Sequence, residues 1–199
     1  MEKDKIFISK RNEVALRDGL VYKQIKDPRA AWLEASILRD LHSRGVPVPQ
    51  VRDCRDGLLV LEYLPGEPLA DAVERGGYDP AALAMALCDW FAAFYAAVPP
   101  GALRGDVNGR NFLYDGAKIY SVDFEERCFG PRARDAGRLA AFIVTYDTRD
   151  EARRTALAEA FVSAFAERFG CDTRAIYAEQ ALEYESMARR RERVKRRRM

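Results

Sequence analysis

Residues 104–126 read RGDVNGRNFLYDGAKIYSVDFEE, and the placing of the acidic and amide side chains in this stretch decides how the rest of the chain is read. Asp106 and Asn111 are separated by four residues in a glycine-flanked loop. The apolar, aromatic runs FLY and IYSVDF then predict a short hairpin that delivers Asp123-Phe124 at its end. Taken singly, Asp106 fits an Asx-turn and Asp123 fits a turn cap. Asp123 is nevertheless embedded in an apolar run, where an uncompensated carboxylate is costly, so a metal ion or strong donors are expected beside it.

Working outward, KIFISK and EVALRDGLVYKQI place β-branched and aromatic residues on either side of Arg17-Asp18-Gly19, which predicts a strand and then a hairpin. A helix is predicted from about Asp27, with Asp27 as N-cap and Pro28 at its first position, ending at Gly45. Trp32, Leu33, Ile37, Leu38 and Leu41 are expected to form its apolar face. VPQVRDC and LLVLEYL, joined by Arg55-Asp56-Gly57, read as a second hairpin. From Pro65-Gly66 onward the pattern turns helical, with a short helix near LADAVERG and a long apolar one from Asp79 to Val98. The expected organisation is two lobes, residues 1–62 and 63–188, with a hinge near 62–68 and a basic tail at 189–199.

Composition narrows the chemistry. The chain has 199 residues, 48% hydrophobic and 32% charged, enough to bury a core. Cys54, Cys88, Cys128 and Cys171 form no CxxC pair and His42 is the one histidine, so a zinc site or disulfide framework is not expected. Catalysis by a Ser-His or Cys-His pair would have to use His42, which lies in a helical stretch and reads as a packing or surface residue. The charged start MEKDKIF argues against a signal peptide. Asp89 and the Pro99-Pro100 stop make AALAMALCDWFAAFYAAVPP a core helix rather than a membrane span, and a cytoplasmic location follows as the expectation. The net charge of +2 hides an asymmetry: residues 189–198, RRRERVKRRR, carry +7, which leaves −5 on residues 1–188. The basic end is expected either to meet RNA, anionic lipid or an acidic partner, or to be a solvated helix end.

The stretches EASILRDLHSRGVPVPQV, LVLEYLPGEPL, GDVNGRNFLY and IYSVDFEE resemble the protein-kinase-like superfamily, in its small atypical branch of aminoglycoside and choline phosphotransferases and Bud32/RIO-type kinases. The resemblance covers nearly the whole chain. It implies an α+β, two-lobed protein-kinase-like fold, with a small antiparallel-sheet N-lobe carrying one helix and a mostly helical C-lobe. It also implies ATP and Mg²⁺ as cofactors and transfer of a phosphoryl group to a hydroxyl. Within it, Lys23 would hold phosphates and Glu34 would fix the Lys23 rotamer. Backbone groups from Glu62 to Leu64 would meet the adenine, and Asn111 and Asp123 would ligate magnesium. Asp106 would orient the acceptor hydroxyl and take its proton. Asp135 would brace the catalytic loop, with a plain N-cap as the alternative.

The sequence also departs from that pattern. Gly19 is the only glycine between residues 1 and 22, so the loop covering the phosphates is unusual or absent. Arg104 stands where the family usually has histidine, and Glu125 replaces a glycine after Asp123-Phe124. These departures and the basic end motivate a second expectation, a pseudokinase or assembly module that binds nucleotide or RNA without turnover.

Overall fold

The structure is a computed structural model that describes residues 5–7, 13–124, 128–146 and 150–198. Its N-terminal part is an antiparallel sheet of β1 (Lys5–Phe7), β2 (Glu13–Arg17), β3 (Leu20–Gln24), β4 (Val51–Arg55) and β5 (Leu58–Glu62), in the order β1-β2-β3-β5-β4. Both hairpins turn on Asp-Gly, at Asp18-Gly19 and Asp56-Gly57, with positive φ at all four residues. Two positive φ angles in a two-residue turn match the right-handed twist of the strands they join. At the outer strand β4 the pairing with β5 shifts between Val51 and Asp53, and Asp53 Oδ1 accepts from the Cys54 N–H at 2.8 Å.

Helix α1 (Pro28–Ser43) crosses from β3 to β4 with Asp27 as N-cap, its side chain accepting from Arg29 N. Its buried residues are Ala31, Glu34, Ala35, Ile37, Leu38 and Leu41. Trp32 and Leu33, expected on the core face, are 64% and 41% exposed. The small residues Ala31 and Ala35 let α1 approach the sheet closely, and Glu34 enters the interior because Lys23 meets it there.

The remainder is mostly helical. β6 (Glu67–Pro68), α2 (Leu69–Arg75) and α3 (Pro80–Ala97) follow, then β7 (Ala102–Leu103), a 3₁₀ turn (Gly109–Asn111), β8 (Phe112–Tyr114), β9 (Ile119–Ser121) and β10 (Cys128–Phe129). Helices α4 (Ala133–Thr145), α5 (Glu151–Phe169) and α6 (Thr173–Arg198) complete the chain. Helix α3 is long and apolar enough to cross a membrane, yet ten of its residues are buried in the fold. Trp90, Phe91 and Phe94 of α3 stack or meet edge-on with one another and with Phe112 and Phe165. Fully burying each such ring stabilises the fold by roughly 1.5–3 kcal/mol. Trp90 Nε1 donates to Pro47 O at 3.0 Å, which joins this aromatic core to the chain between α1 and β4.

Helix α4 lies against α6 at Gly137. A Cβ there would come within 2.5 Å of Ile176 O and 2.7 Å of Gln180 N. Helix α6 continues without a break through the basic stretch, and its inward side carries the buried Ile176, Glu183 and Met187.

Candidate active site

Three residues that the sequence separates by up to a hundred positions meet at one ammonium group. Lys23 Nζ, from β3, donates to both carboxylate oxygens of Glu34 on α1 at 2.9 and 2.8 Å and to Asp123 Oδ1 at 2.5 Å. Burial alone would push the Lys23 ammonium down, but the Glu34 and Asp123 carboxylates outweigh it and hold its pKa above the ordinary lysine value. Asp123 is more open to solvent than its partner, with 37% side-chain exposure against 9% for Lys23. Its φ is +66°, a backbone region that aspartate tolerates better than most residues and that costs energy to hold.

The loop before β8 is pinned from three directions. Asp135, wholly buried in the first turn of α4, accepts from Arg104 N at 2.8 Å, Gly105 N at 3.1 Å and Tyr95 Oη at 2.9 Å. The helix cap is Arg132, so Asp135 braces the loop instead of capping α4. Burial pushes the Asp135 carboxyl up, and these three hydrogen bonds oppose that shift. Arg104, also buried, sends Nε to Ser121 Oγ at 3.0 Å and Nη2 to Val122 O at 2.7 Å and Asp123 O at 3.0 Å. Its guanidinium lies over the Phe124 ring at 4.1 Å. Burial pushes the guanidinium pKa down, and the hydrogen bonds offset the cost of keeping the charge inside. From the other side, Tyr146 Oη accepts from Gly109 N at 2.9 Å; a Cβ on Gly109 would sit 2.1 Å from that oxygen.

Asn111 is joined to the strand that delivers Asp123. Val122 N and Ser121 Oγ donate to Asn111 O at 2.9 and 3.0 Å, and Asn111 Nδ2 donates to Asp106 O at 3.3 Å. Asp106 is exposed on the same loop, and its Oδ1 accepts from Asn108 N at 3.2 Å, so the Asx-turn expected for an isolated aspartate is present. Asn108 in turn caps the 3₁₀ turn through Arg110 N, and Arg110 pairs with Asp71 of α2 at 3.3 Å. These bonds employ Asn108 and Arg110 in building the loop. Glu62 ends β5 with its carboxylate accepting from Gln50 N at 3.1 Å, and Leu64 is buried beyond it. The connection at residues 8–12, where a phosphate-covering loop would lie, and Glu125 are outside the described residues.

The donor set suits a hard cation. Among the described residues no three His, Cys, Asp or Glu side chains form a ready metal cage. One carboxylate and one carboxamide are what Mg²⁺ accepts when phosphates and water complete its octahedron. With Asn111 Nδ2 turned to Asp106 O, its Oδ1 is the oxygen left to ligate, and it fits that role.

The roles of Arg104 and Tyr146 were not visible in the sequence. Arg104 lies inside the motif but carried only the signal of a departure from the family histidine. Tyr146 is far along the chain and no spacing marks it.

No family model matches this chain. Over 91 residues it is 31% identical to the EKC/KEOPS complex subunit BUD32 of Encephalitozoon cuniculi, a match covering 46% of this chain and 44% of that protein. The chain thus spans less than half the length of this curated relative. It is 24% identical over 146 residues to a probable serine/threonine-protein kinase BUD32 homolog of Archaeoglobus fulgidus, covering 67% and 70% of the two chains. Among solved structures, ADP-bound aminoglycoside phosphotransferase APH(2'')-Ib superposes with a TM-score of 0.64 at 10% identity, over 89% of this chain and 81% of that one. A choline/ethanolamine kinase family protein from Mesorhizobium loti gives 0.55 at 14% identity, over 94% and 88%. Together with the antiparallel N-terminal sheet and the helical remainder, these likenesses show a protein-kinase-like fold.

Proposed function

We propose that this chain is an ATP- and Mg²⁺-dependent phosphotransferase acting on a hydroxyl. The observation that carries this reading is the buried Lys23 ammonium held between Glu34 and the more open Asp123. Glu34 fixes the lysine, and Asp123 is the partner that phosphate oxygens would displace or join. Phosphoryl transfer asks a protein chiefly for positioning and charge neutralisation, and a preset cation beside a metal-ligating carboxylate supplies both. Asn111 and Asp123 would hold Mg²⁺, which when bound neutralises charge on the phosphates. Asp106 would orient the acceptor hydroxyl: as its oxygen bonds to the γ-phosphorus, the bond to ADP breaks and the proton passes to the Asp106 carboxylate. Asp135 and Arg104 act through others, fixing residues 104–105 and 122–124 on either side of the reacting groups.

The test is ATP turnover and equilibrium nucleotide binding on the full chain. Lys23→Met is expected to weaken ATP binding and abolish turnover. Asp123→Ala is expected to remove the Mg²⁺ dependence of nucleotide binding, and Asp106→Asn to lower turnover while binding persists. Stoichiometric nucleotide binding with no turnover under any acceptor or autophosphorylation condition, unaffected by Asp123→Ala, would overturn the proposal in favour of a binding module.

A further inference from the structure

A cavity of about 300 Å³ opens beside the catalytic loop, and its lining carries charges of both signs. Arg104, Asp106 and Asp123, from the loop and the strand after it, line one end. The other is built by Arg138 of α4 with Glu183 and Arg190 of α6. Glu183 is 5% exposed and binds both arginines, Oε1 accepting from Arg190 Nη2 at 2.5 Å and Oε2 lying 3.5 Å from Arg138 Nε. Arg138 Nη1 also reaches Gly105 O at 3.4 Å, so the basic end is tied directly to the residue before Asp106.

Two guanidiniums against one carboxylate leave this end with an excess charge of +1. Each guanidinium has five N–H donors in a planar fork, and the bonds to Glu183, Gly105 and Ser186 occupy only part of them. The buried carboxylate holds both arginines at the α4–α6 wall of the cavity. A ligand in this cavity is therefore oriented: an oxyanion is attracted to Arg138 and Arg190 and repelled by Asp106, the Asp123 charge being met by Lys23, while a neutral hydroxyl can approach Asp106. A cationic ligand meets the reverse field. The modest volume suits a small molecule.

We infer that this cavity is the acceptor site and selects a small alcohol bearing an oxyanion, a phosphate or a carboxylate, held by Arg138 and Arg190. The inference rests on the phosphotransferase reading for the word acceptor, but its test does not need turnover. The full chain, without nucleotide, is titrated calorimetrically with glycerol, glycerol 3-phosphate, glycerate and choline. The two anions are expected to bind at least about tenfold more tightly than glycerol, as charge-assisted bonds to arginine require, and choline most weakly. The stronger of the two anions identifies the preferred oxyanion. Arg190→Gln, at an exposed helix position, is expected to lower anion affinity about tenfold and leave ADP affinity unchanged, with Arg190→Lys falling between. Equal binding of glycerol and the anions, no binding of either anion, or anion binding indifferent to Arg190→Gln overturns the inference. Arg190-dependent anion binding in a chain with no turnover refutes the catalytic reading alone, whereas turnover of a neutral or cationic alcohol refutes this inference alone.

Discussion

Asp135→Ala removes three hydrogen bonds at once without touching any group proposed to contact nucleotide or acceptor. Tyr95 Oη, Arg104 N and Gly105 N all lose their acceptor in a wholly buried position. Each buried donor left unmade costs roughly 1–3 kcal/mol, and removing a buried carboxylate together with entry of water offsets part of that, so the lower bound of about 3 kcal/mol is the expected loss. For a chain of 199 residues this corresponds to a fall in Tm of about 6–12 °C. Asp135→Asn keeps the shape, but its amide must face a donor at one of the three bonds, so about half the loss is expected. Because the folded pKa of Asp135 is raised, the native state holds a proton that the unfolded chain has lost in the interval just above the ordinary carboxylate value. Wild-type stability therefore falls relative to the Asn variant as pH rises through that interval. Urea unfolding at several pH values, with unchanged m, gives the stability difference. ATP turnover should drop about tenfold to hundredfold as residues 104–106 lose their register, with nucleotide affinity nearly constant. An alanine variant within about 0.5 kcal/mol of wild type would refute the bracing role, because a change of that size is ordinary for a surface substitution.

Gly109→Ala drives a methyl group against the Tyr146 hydroxyl, so turnover should fall and stability drop by about 1–3 kcal/mol; Tyr146→Leu in the same chain should restore part of both, checked by thermal melts and activity. Gly137→Ala meets backbone atoms of α6 that cannot move aside as a flexible side chain can, and limited proteolysis should then cut α6 much faster than in wild type. In alkaline solution, the Tyr146 phenol, pushed up to about 12 by burial, and the Lys23 ammonium, raised above 10.5, keep protons that the unfolded chain has released. Stability should accordingly fall as pH rises past 10, and Tyr146→Phe should flatten part of that slope in denaturant melts.

The parts of the fold that local chemistry dictates were legible from sequence. Asp18-Gly19 and Asp56-Gly57 marked both hairpins, Asp27 followed by Pro28 marked the start of α1, and the apolar run from Asp79 marked α3. The spacing of Asp106, Asn111 and Asp123 identified the loop and the strand after it because those residues are close in sequence as well as in space. The orientation of α1 was legible only in part: Ile37, Leu38 and Leu41 face the core as expected, and Trp32 and Leu33 do not. An apolar stripe through Trp32 and Leu33 is the natural choice when Glu34 counts as polar, and only the distant Lys23 explains why Glu34 turns inward. Arg104 and Glu183 escaped for the same reason. A charged residue reads as surface until its partners, which here come from other elements, are known. Glu34 and Asp135 were exceptions, since their match to the family offered roles that their own neighbourhoods in the sequence did not.

The outer strand β4 also bears on how the molecule behaves in concentrated solution. A sheet's free edge invites another chain to add to it, which is a common route to aggregation. Here the edge is irregular between Val51 and Asp53, Asp53 occupies the Cys54 N–H with its own carboxylate, and Arg55 closes on Asp53 at 3.2 Å. A strand arriving from another molecule would find its register interrupted and one donor already taken, with fixed charges of both signs in its path. That edge helps keep copies of the chain apart.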